Sequence, residues 1–552
     1  MLVATKSLGR FAVKSLAVGF DPSEPARNFH EFKLVNGFAA NLTEEEIVEL
    51  RKSAQVLFVE PDVERHAFST SLRPIANAST PFAQVTPYGI SLVHAQQAWV
   101  GGRGANTNVV VIDTGIDYRH PDLAARYAGG LNTIANNDDP LDDNGHGTHC
   151  SGTIAAIDDG VGVVGVAPQA RLWAVKVLDE EGSGKSSNVL KALDWVVQKK
   201  TELGGNWIVS LSLGSCSPST LERQGFERAT TAGVLVVAAA GNHDPSAADV
   251  CTADNNNSYA VSYPAAYAGV VAVAAVNSLQ SVADFSNFGP QVTLAAPGVD
   301  VFSTFQVGQG DWSLLTPNGG TPVVAPPVRG SPAKDITGPY VFCNLGKVGE
   351  FPASVNGKIA LIKRGDITFK EKSKNAKAAG AAAVVIFNRD TSAILWTLLA
   401  RLDANGNVNP AVCDNPETAA SCHDDPADVA FDWPLTVGMP LADGEALVNQ
   451  PKSSITINYR LDDDYAILSG TSMACPHVAG VAATVWSMAP SATADAIKQA
   501  LISTAHDLGA PGPDNNYGNG LIDAEKAGKQ INPGAFIPQP SKPTGRTPGR
   551  RH

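Results

Sequence analysis

The sequence is short of charged residues and of long apolar runs. Charged residues make up 17% of its 552 positions, whereas an average globular protein has about 25%. Acidic residues outnumber basic ones, 54 against 41, and the formal net charge is −13. This balance argues against bulk-charge binding to nucleic acid or to an anionic membrane. No apolar run reaches the roughly 18 residues of a membrane span, so we expect no transmembrane segment.

Cysteine is also scarce, and its count is odd, at seven. An odd count leaves at least one thiol free or paired outside the chain. Cys216 with Cys251 and Cys413 with Cys422 are plausible disulfides, which would suit a protein outside the cytoplasm. Residues 1–20 lack the unbroken apolar stretch and small-residue cleavage site of a signal peptide. We expect the chain to begin inside or just before its first domain; a transit or unusual export segment is the alternative.

Apolar residues, by contrast, are abundant at 44%, and the length corresponds to roughly three or four folding units. Residues 1–68 are expected to form the first, a small α+β unit with a helix at about 44–53 between two strands. Thr43 and Glu46 support this helix because they have the spacing of a capping box. A polar, proline-containing linker follows at 69–83.

Short, fully apolar runs alternate with helix-length segments after the linker. They begin near Val109, Leu172, Ile208, Val234 and Val270. Strands that are apolar throughout are typical of a parallel sheet covered by helices on both faces. We therefore predict an α/β fold with a doubly wound, mostly parallel sheet. Ligands of such sheets lie at the carboxyl ends of the strands, so the residues after these runs are the first candidates for chemistry.

The pattern changes again at residues 306–459, where proline and glycine are frequent and short apolar runs predict a β-rich module. A helical pattern resumes between residues 472 and 526. The module is therefore predicted to be an insertion into the α/β domain, whose two parts are 84–305 and 460–530. Residues 531–552 are rich in proline and basic residues and are expected to be a disordered tail.

Three separate segments carry an acid, an imidazole and a hydroxyl at strand ends or helix starts. Asp113 ends a buried strand in Asp-Thr-Gly-Ile-Asp, His146 opens a helix in Asn-Gly-His-Gly-Thr-His, and Ser472 opens another in Gly-Thr-Ser-Met-Ala. Serine is a weak nucleophile, and it is activated by a histidine that takes its proton while a carboxylate fixes the imidazole tautomer. The combination predicts Ser472 as nucleophile, His146 as base and Asp113 as the orienting acid.

Each segment alone has an ordinary interpretation. Asp-Thr-Gly after a strand can be a simple turn, and Gly-Thr-Ser before a helix is usually a helix cap. His146 and His149 are three positions apart and could suggest a metal pair, but the general-base glutamate of a zinc protease motif is absent. Only the combination of the three segments is specific.

Together the three segments resemble the catalytic blocks of the subtilisin-like serine proteases, the subtilases of peptidase family S8. The agreement runs through Asp-Thr-Gly-Ile-Asp, Asn-Gly-His-Gly-Thr-His-Cys-Ser-Gly-Thr and Gly-Thr-Ser-Met-Ala-Cys-Pro-His-Val-Ala-Gly. The resemblance implies a triad of Asp113, His146 and Ser472 and places the family's oxyanion-binding residue at Asn242. It also implies a secreted serine endopeptidase that hydrolyses polypeptides through an acyl-enzyme.

The resemblance further implies where a substrate peptide binds. Two segments would hold it as an added strand, and a third set would wall the pocket for the P1 residue, which precedes the cleaved bond. The edge segment is Ser212, Leu213 and Gly214, the opposite rail is Gly182, Ser183 and Gly184, and the pocket is walled by Ala239, Gly241 and Ser262 in its Ser-Tyr-Pro turn. None of these residues is acidic, so an uncharged P1 side chain is expected; for each segment, an ordinary loop is the alternative.

A structural calcium site is implied in the same way. Gln84 and Asp122 align with side-chain ligands of the family's strong site, and a loop at 157–163 aligns with the other ligands. The loop ligands are Asp159, through its side chain, and Ile157, Val161 and Val163, through their carbonyl oxygens. Oxygen-only ligands in a flexible cage suit Ca²⁺; a plain acidic surface turn is the alternative.

The outer modules also have counterparts in the family. Residues 28–66 resemble the inhibitor-like propeptide of subtilases, notably in Asn-Gly-Phe-Ala-Ala and Val-Glu-Pro-Asp. This implies a zymogen that its own propeptide inhibits until cleavage within 67–83. The propeptide's expected first strand is poorly matched by residues 10–20. The insert resembles a protease-associated (PA) domain, with a role in substrate gating, docking or oligomer contact, or only as a spacer.

Two other functions stay open at this level. One is a catalytically silent scaffold that binds partners through the insert, although the intact triad and Asn242 argue against it. The other is transpeptidation, in which an amine replaces water at deacylation. Cys150 and Cys475 depart from the family pattern; we expect two buried free thiols packed near each other, or alternatively a route to inactivation by mercurials.

Overall fold

The computed structural model describes residues 1–6, 23, 27–68, 82–243, 260–320, 322–326, 328–389, 397–402 and 423–537. Its largest element is a seven-stranded sheet in which all neighbouring strands are parallel. In spatial order the strands are Val292–Pro297, Val271–Val276, Val234–Ala239, Asn206–Leu211, Thr107–Asp113, Arg171–Lys176 and Tyr127–Asn132.

The first of these strands in the chain, Thr107–Asp113, lies inside the sheet, and later strands are added on both of its sides. The predicted doubly wound sheet is therefore confirmed. In such a sheet the strand order reverses beside one strand, and the carboxyl end of that strand is where ligands bind. Asp113 is the last residue of Thr107–Asp113.

Helices cover both faces of the sheet. One apolar layer contains residues of His146–Ala155 and Thr471–Met488; the other contains residues of Ser186–Leu203 and Thr220–Thr231. All residues of Thr471–Met488 except Ser487 are buried, as expected for a helix that is apolar all round. The remaining helices of this domain are Tyr88–Leu92, Ala95–Ala98, Pro121–Ala124, Ala494–Thr504 and Ala524–Ile531.

The N-terminal unit is a four-stranded antiparallel sheet with one helix, Glu44–Lys52, which has the predicted capping box of Thr43 and Glu46. The strands, in spatial order, are His30–Phe32, Gly37–Ala39, Leu2–Thr5 and Val56–Glu60. The first strand of this unit is Leu2–Thr5, which lies before residues 10–20 in the chain and is fully buried. Residues 10–20 lie outside the described ranges.

The insert is β-rich, as predicted, and its described residues include two four-stranded sheets. One is parallel, with strands Tyr340–Phe342, Ile359–Lys363, Ala383–Phe387 and Leu435–Met439; the other has strands Val323–Val324, Gly310–Pro317, Ile455–Asp463 and Ile336–Gly338. The helices among its described residues are Ala353–Val355 (3-10), Phe369–Ala378, Pro426–Val429 and Leu441–Asn449. Two short strand pairs are Val301–Thr304 with Tyr465–Leu468, and Arg401–Leu402 with His423–Asp424.

The chain end begins with more structure than the sequence predicts. Pro533–Phe536 form a 3-10 helix, and Phe536 packs against the main core; residues 538–552 lie outside the described ranges. Within those ranges, none of the helices combines the length and apolarity needed to cross a membrane.

The described cysteines fall into two classes. Cys216 is disulfide-bonded, whereas Cys150, Cys343 and Cys475 are buried free thiols. The other members of the expected disulfides, Cys251, Cys413 and Cys422, lie outside the described residues.

Candidate active site

Asp113 and His146 are in direct contact. Asp113 ends its strand and His146 is the first residue of His146–Ala155, and Oδ1 of Asp113 lies 2.7 Å from Nδ1 of His146. The two side chains are 0% and 2% exposed. The main-chain N–H of Thr114 also donates to Oδ1, at 2.7 Å. A buried carboxylate is stable only with such donors, so Nδ1 carries the proton and Nε2 is left free as an acceptor.

Glycine is required where the histidine helix starts. Gly145 has φ +103°, and a Cβ there would lie 2.2 Å from the ring of Phe305. A Cβ on Gly147 would lie 2.1 Å from the carbonyl oxygen of Gly115. The glycines flanking His146 therefore allow the helix to approach the Asp-Thr-Gly turn closely enough for the contact with Asp113.

Ser472 lies in the first turn of Thr471–Met488. Its Oγ donates to the carbonyl oxygen of Ser212 at 2.8 Å and accepts from the main-chain N–H of Phe68 at 3.2 Å. Nε2 of His146 is buried and has no hydrogen-bond partner among the described residues. Oγ of Ser472 and Nε2 of His146 are therefore not hydrogen-bonded to each other in this arrangement.

Asn242 is held in one orientation by the residue before Ser472. Its Oδ1 accepts from the N–H of Thr471 at 2.9 Å and from Oγ1 of Thr471 at 2.8 Å. Its Nδ2 is thereby directed to the carbonyl oxygen of Phe68, at 3.0 Å. A Cβ on Gly470 would lie 2.3 Å from that oxygen, so only glycine lets the Phe68 carbonyl approach this closely.

The two segments expected to hold a substrate both hold the end of the N-terminal unit. The strand Glu64–Ala67 lies between Leu213–Gly214 and Ser183–Lys185 and is antiparallel to both. The N–H of Ala67 donates to the carbonyl of Gly182 at 2.9 Å, and that of Phe68 to Ser212 at 3.4 Å. An extended peptide thus occupies this groove as an added strand, and it leads to Ser472.

The expected P1 pocket residues include Ala239, which belongs to the apolar core against which Phe68 packs. Ala239 is buried at the end of its own strand, and a Cβ on Gly241 would lie 2.2 Å from Oγ of Ser262. The ring of Phe68 lies against the edge segment, since a Cβ on Gly214 would be 2.9 Å from it. Phe68, whose carbonyl contacts Asn242, thus places an aromatic, uncharged side chain against the edge segment.

The residues expected at a calcium site also come together. Residues 83–85 form bridges to residues 161–163, and the N–H of Ile157 donates to the carbonyl of Asp122 at 3.1 Å. Oε1 of Gln84 accepts from the N–H groups of Asp159 and Gly160, at 3.0 and 2.7 Å. Oδ1 of Asp159 accepts from the N–H of Val161 at 3.0 Å.

Asp122 is the buried carboxylate of this group, and its Oδ2 accepts from the N–H of Val163 at 2.9 Å and from Oη of Tyr465 at 3.1 Å. Burial raises the pKa of Asp122 to about 7, and the nearby charges of Asp159 and Asp464 add to this. The oxygen-only ligands and the accumulated negative charge fit Ca²⁺. The hydrogen bonds of Gln84 and Asp159 to loop N–H groups would have to yield to the ion.

The metal-pair alternative for the two histidines does not fit the geometry. His149 directs Nε2 to the carbonyl of Val301, at 3.0 Å. Among the described residues, the one group of three potential metal-binding side chains is Asp113, His146 and Cys150, and it leaves His149 out.

Cys150 and Cys475 both pack beneath Ser472. Sγ of Cys150 lies 3.5 Å from the carbonyl oxygen of Ser472, and Sγ of Cys475 lies 3.5 Å from that of Leu211. Burial raises the pKa of the Cys150 thiol well above its usual value and that of Cys475 to about 12. Neither sulfur is therefore a thiolate near neutral pH.

Three residues at this site were not predicted from the sequence. Thr471, which orients Asn242, is visible in the sequence as the middle residue of Gly-Thr-Ser. Phe68 is the large apolar residue immediately before the polar linker. Glu222 pairs with Arg65 across 157 positions, and no local pattern signals such a contact.

Three family profiles match the chain. The subtilase family matches residues 104–323 and 426–520, more than half of the chain. The PA domain matches residues 329–422, and peptidase inhibitor I9 matches residues 5–68. The second subtilase stretch starts within the insert, because Leu435–Met439 is a strand of the parallel insert sheet.

Known proteases are similar to the chain at the level of sequence and structure. The thermostable alkaline protease of Halalkalibacterium halodurans is 39% identical over 294 residues, which are 52% of this chain and 72% of that protein. The alkaline protease of Alkalihalobacillus alcalophilus is 38% identical over 333 residues, 58% of this chain and 81% of that protein. The crystal structure of a psychrophilic subtilisin-like protease from an Antarctic Pseudoalteromonas species superposes with a TM-score of 0.63 at 30% identity, covering 83% of this chain and 100% of that one. The chain therefore belongs to the subtilase family of serine endopeptidases, with an I9 inhibitor propeptide and an inserted PA domain.

Proposed function

We propose that the chain cleaves polypeptides through a triad of Ser472, His146 and Asp113, with Asn242 at the oxyanion. One observation carries this proposal: the main chain of Phe68 meets Oγ of Ser472 and Nδ2 of Asn242 at once, at 3.2 Å and 3.0 Å. A nucleophile and an oxyanion donor that converge on one residue of an extended strand are the arrangement that acyl transfer requires.

The reaction follows from these contacts. Oγ of Ser472 attacks the substrate carbonyl carbon while Nε2 of His146 takes the hydroxyl proton, and Asp113 stabilises the imidazolium. The oxygen becomes an oxyanion, which accepts from Nδ2 of Asn242 and from the main-chain N–H of Ser472. The imidazolium then protonates the leaving amine, and the acyl-enzyme forms. Water deprotonated by His146 attacks the ester and releases the acid and the Ser472 hydroxyl.

The first bond that the enzyme cleaves is the one after Phe68. Phe68 occupies the P1 position, which matches the uncharged preference expected from the pocket, and the strand 64–67 fills the positions before it. Residues 1–68 then act as the propeptide, followed by the linker at 69–83. The catalytic domain is assigned to 84–305 and 460–530, with the insert at 306–459. We place the mature enzyme outside the cell, in keeping with its disulfide-bonded Cys216.

The propeptide also inhibits by capping two helices of the catalytic domain. Glu60 accepts from Oγ of Ser219 at 2.8 Å and from the N–H of Leu221 at 2.9 Å, at the start of Thr220–Thr231. Asp62 accepts from the N–H of Ser187 at 2.9 Å, at the start of Ser186–Leu203. Carboxylates at helix N-termini satisfy free N–H groups and favour the helix dipole. These contacts hold the cleaved propeptide in place.

The enzyme also binds calcium in this proposal. Gln84, Asp122 and the loop 157–163 would hold one ion, with a stabilising role. Its test is thermal unfolding of a Ser472→Ala chain with and without a calcium chelator: a lower midpoint in chelator, restored by added Ca²⁺ and not by Mg²⁺, supports the site. An unchanged midpoint contradicts it.

The triad is tested by labelling with a fluorophosphonate probe, which reacts with an activated serine. The mature wild-type enzyme is expected to be labelled at Ser472, and the Ser472→Ala chain to remain unlabelled. Ser503→Ala is the matched control, because Ser503 is exposed on a distant helix and its loss is expected to leave labelling intact. Equal labelling of wild type and Ser472→Ala would contradict the assignment.

A further inference from the structure

The structure contains a fully buried ion pair between the propeptide strand and the catalytic domain. Arg65 and Glu222 have side-chain exposures of 0% and 0%. Nε of Arg65 donates to Oε1 of Glu222 at 3.1 Å, and Nη2 donates to Oε2 at 2.6 Å. The contact is thus the two-pronged arrangement in which a guanidinium binds a carboxylate most strongly.

The catalytic domain supplies further partners around this pair. Nη1 of Arg65 donates to Oγ of Ser215 at 2.6 Å and to the carbonyl oxygen of Ser217 at 3.2 Å. Oη of Tyr267 lies 3.0 Å from Oε2 of Glu222. The pocket therefore satisfies an arginine side chain at all three of its nitrogens, and it does so without any side chain of the propeptide.

The position of Arg65 in the strand shows which residue of a bound peptide would enter this pocket. Arg65 is three residues before Phe68, whose carbonyl contacts Asn242, so it occupies the P4 position of a bound peptide. His66, between them, is exposed on its side chain by 49%. Arg65 is thus the one side chain of Glu64–Ala67 that is buried.

We propose that Glu222 makes the P4 subsite selective for arginine, so that the enzyme prefers polypeptides with arginine four residues before the cleaved bond. This inference rests on the proposed function, since it takes Phe68 as P1. When the propeptide leaves, the carboxylate of Glu222 loses its cationic partner. A substrate arginine restores both hydrogen bonds, whereas a neutral side chain leaves a desolvated charge unpaired. Lysine restores the charge without the paired geometry.

The test uses the mature enzyme and four p-nitroanilide peptides that copy residues 65–68. Their sequences are Xaa-His-Ala-Phe, with arginine, citrulline, lysine or alanine as Xaa. Citrulline has nearly the shape of arginine but no charge, so the two substrates isolate the contribution of the ion pair. We expect kcat/KM to be about 10- to 100-fold higher for arginine than for citrulline, the range of a charge-assisted hydrogen-bonded pair.

The variant Glu222→Gln tests whether the preference for arginine comes from Glu222. It is expected to lower kcat/KM for the arginine peptide and to bring the arginine-to-citrulline ratio close to one. Because this variant leaves Arg65 without its partner during folding, the double variant Arg65→Gln with Glu222→Gln is made in parallel, so that neither charge is left unpaired. Glu227→Gln is the control, since Glu227 lies on the same helix but is 45% exposed and pairs with Arg223; its ratio is expected to equal that of wild type.

Different results would overturn the P4 inference and the proposed function. An enzyme that cleaves arginine and citrulline peptides with equal kcat/KM, or whose preference survives Glu222→Gln, overturns the P4 inference and leaves the triad intact. An enzyme that cleaves none of the peptides and is not labelled by a fluorophosphonate overturns the proposed function, and the P4 inference with it.

Discussion

The side-chain amide of Asn242 donates a hydrogen bond to the main-chain carbonyl oxygen of Phe68, at 3.0 Å. The two residues are 174 positions apart, one just past a strand of the main sheet and the other at the end of the propeptide. In the proposed mechanism, the carbonyl of Phe68 takes the place of the substrate carbonyl that reacts.

Removing this donor is expected to slow catalysis without preventing binding. In Asn242→Ala the developing oxyanion loses one of its two proposed donors, which typically costs about 10²–10³ in kcat. The measurement is kcat and KM of the mature enzyme on a phenylalanine p-nitroanilide peptide. Asn318→Ala, an exposed asparagine of the insert, is the control. A kcat within threefold of wild type would contradict the role of Asn242.

Thr471 is expected to act through Asn242 as a positioning residue. Thr471→Val removes the Oγ1 donor to Oδ1 of Asn242 and keeps the main-chain donor, so a smaller fall in kcat, about tenfold, is expected. The double variant with Asn242→Ala should be no slower than Asn242→Ala alone, because the two act as one unit. Additive losses would show that Thr471 acts independently of Asn242.

The capping carboxylates are expected to control release of the cleaved propeptide. Replacing Glu60 or Asp62 by alanine removes a helix cap worth about 1 kcal/mol, so the propeptide should dissociate several times faster. The measurement is the lag before protease activity rises after the full chain has cleaved itself. Glu64→Ala is the control, since the Glu64 side chain is 73% exposed. An unchanged lag in Glu60→Ala and Asp62→Ala would contradict this role.

The thiols beneath Ser472 are expected to resist alkylation. Burial raises the pKa of Cys475 to about 12 and that of Cys150 well above its usual value, and the thiolate is the reactive form. Iodoacetamide at pH 8 should therefore leave both cysteines unmodified in the folded Ser472→Ala chain and modify both after unfolding in guanidinium. Peptide mapping by mass spectrometry measures this, and rapid modification of the folded protein would contradict it.

The contribution of two buried histidines to stability is expected to be lost as the pH drops from 6.5 towards 4. Burial lowers the pKa of His477 to about 4 and that of His149 to about 3, the latter also through nearby His146. The unfolded chain binds protons at about pH 6.5, so it gains more protons than the folded chain between these values. The stability is thus present above pH 6.5 and is lost on acidification, by on the order of 3 kcal/mol for His477.

Urea unfolding of the Ser472→Ala chain at pH 7.5, 5.5 and 4.5 measures this dependence. His477→Gln should remove the part of this dependence that comes from His477. The same pH dependence in the parent chain and in His477→Gln would contradict the assignment.

The main sheet and the three segments with Asp113, His146 and Ser472 can be predicted from the sequence because both are local patterns. Apolar runs predict the strands, and Asp113, His146 and Ser472 each stand in a recognisable motif next to one of them. The capping box of Thr43 and Glu46 is local in the same sense. The hydrogen bonds that orient Asn242 could not be foreseen, since they depend on how a strand end and a helix start meet.

Long-range contacts and weak local patterns account for the errors. Leu2–Thr5 is only four residues long, and it is a strand because it lies between Gly37–Ala39 and Val56–Glu60. Arg65 and Glu222 form a buried pair only because the propeptide strand enters the groove. Phe536 extends the ordered chain because it packs on the core, in a segment whose composition predicts disorder.

The most direct measurement is the N-terminal sequence of the purified enzyme, made alongside the Ser472→Ala chain. The arrangement of Phe68, Ser472 and Asn242 predicts that the wild-type chain cuts itself after Phe68, so that the mature enzyme begins at Ser69. The Ser472→Ala chain is predicted to keep residues 1–68 attached. A Ser472→Ala chain that still separates at this bond, or a wild-type chain that first cuts elsewhere, would contradict the account.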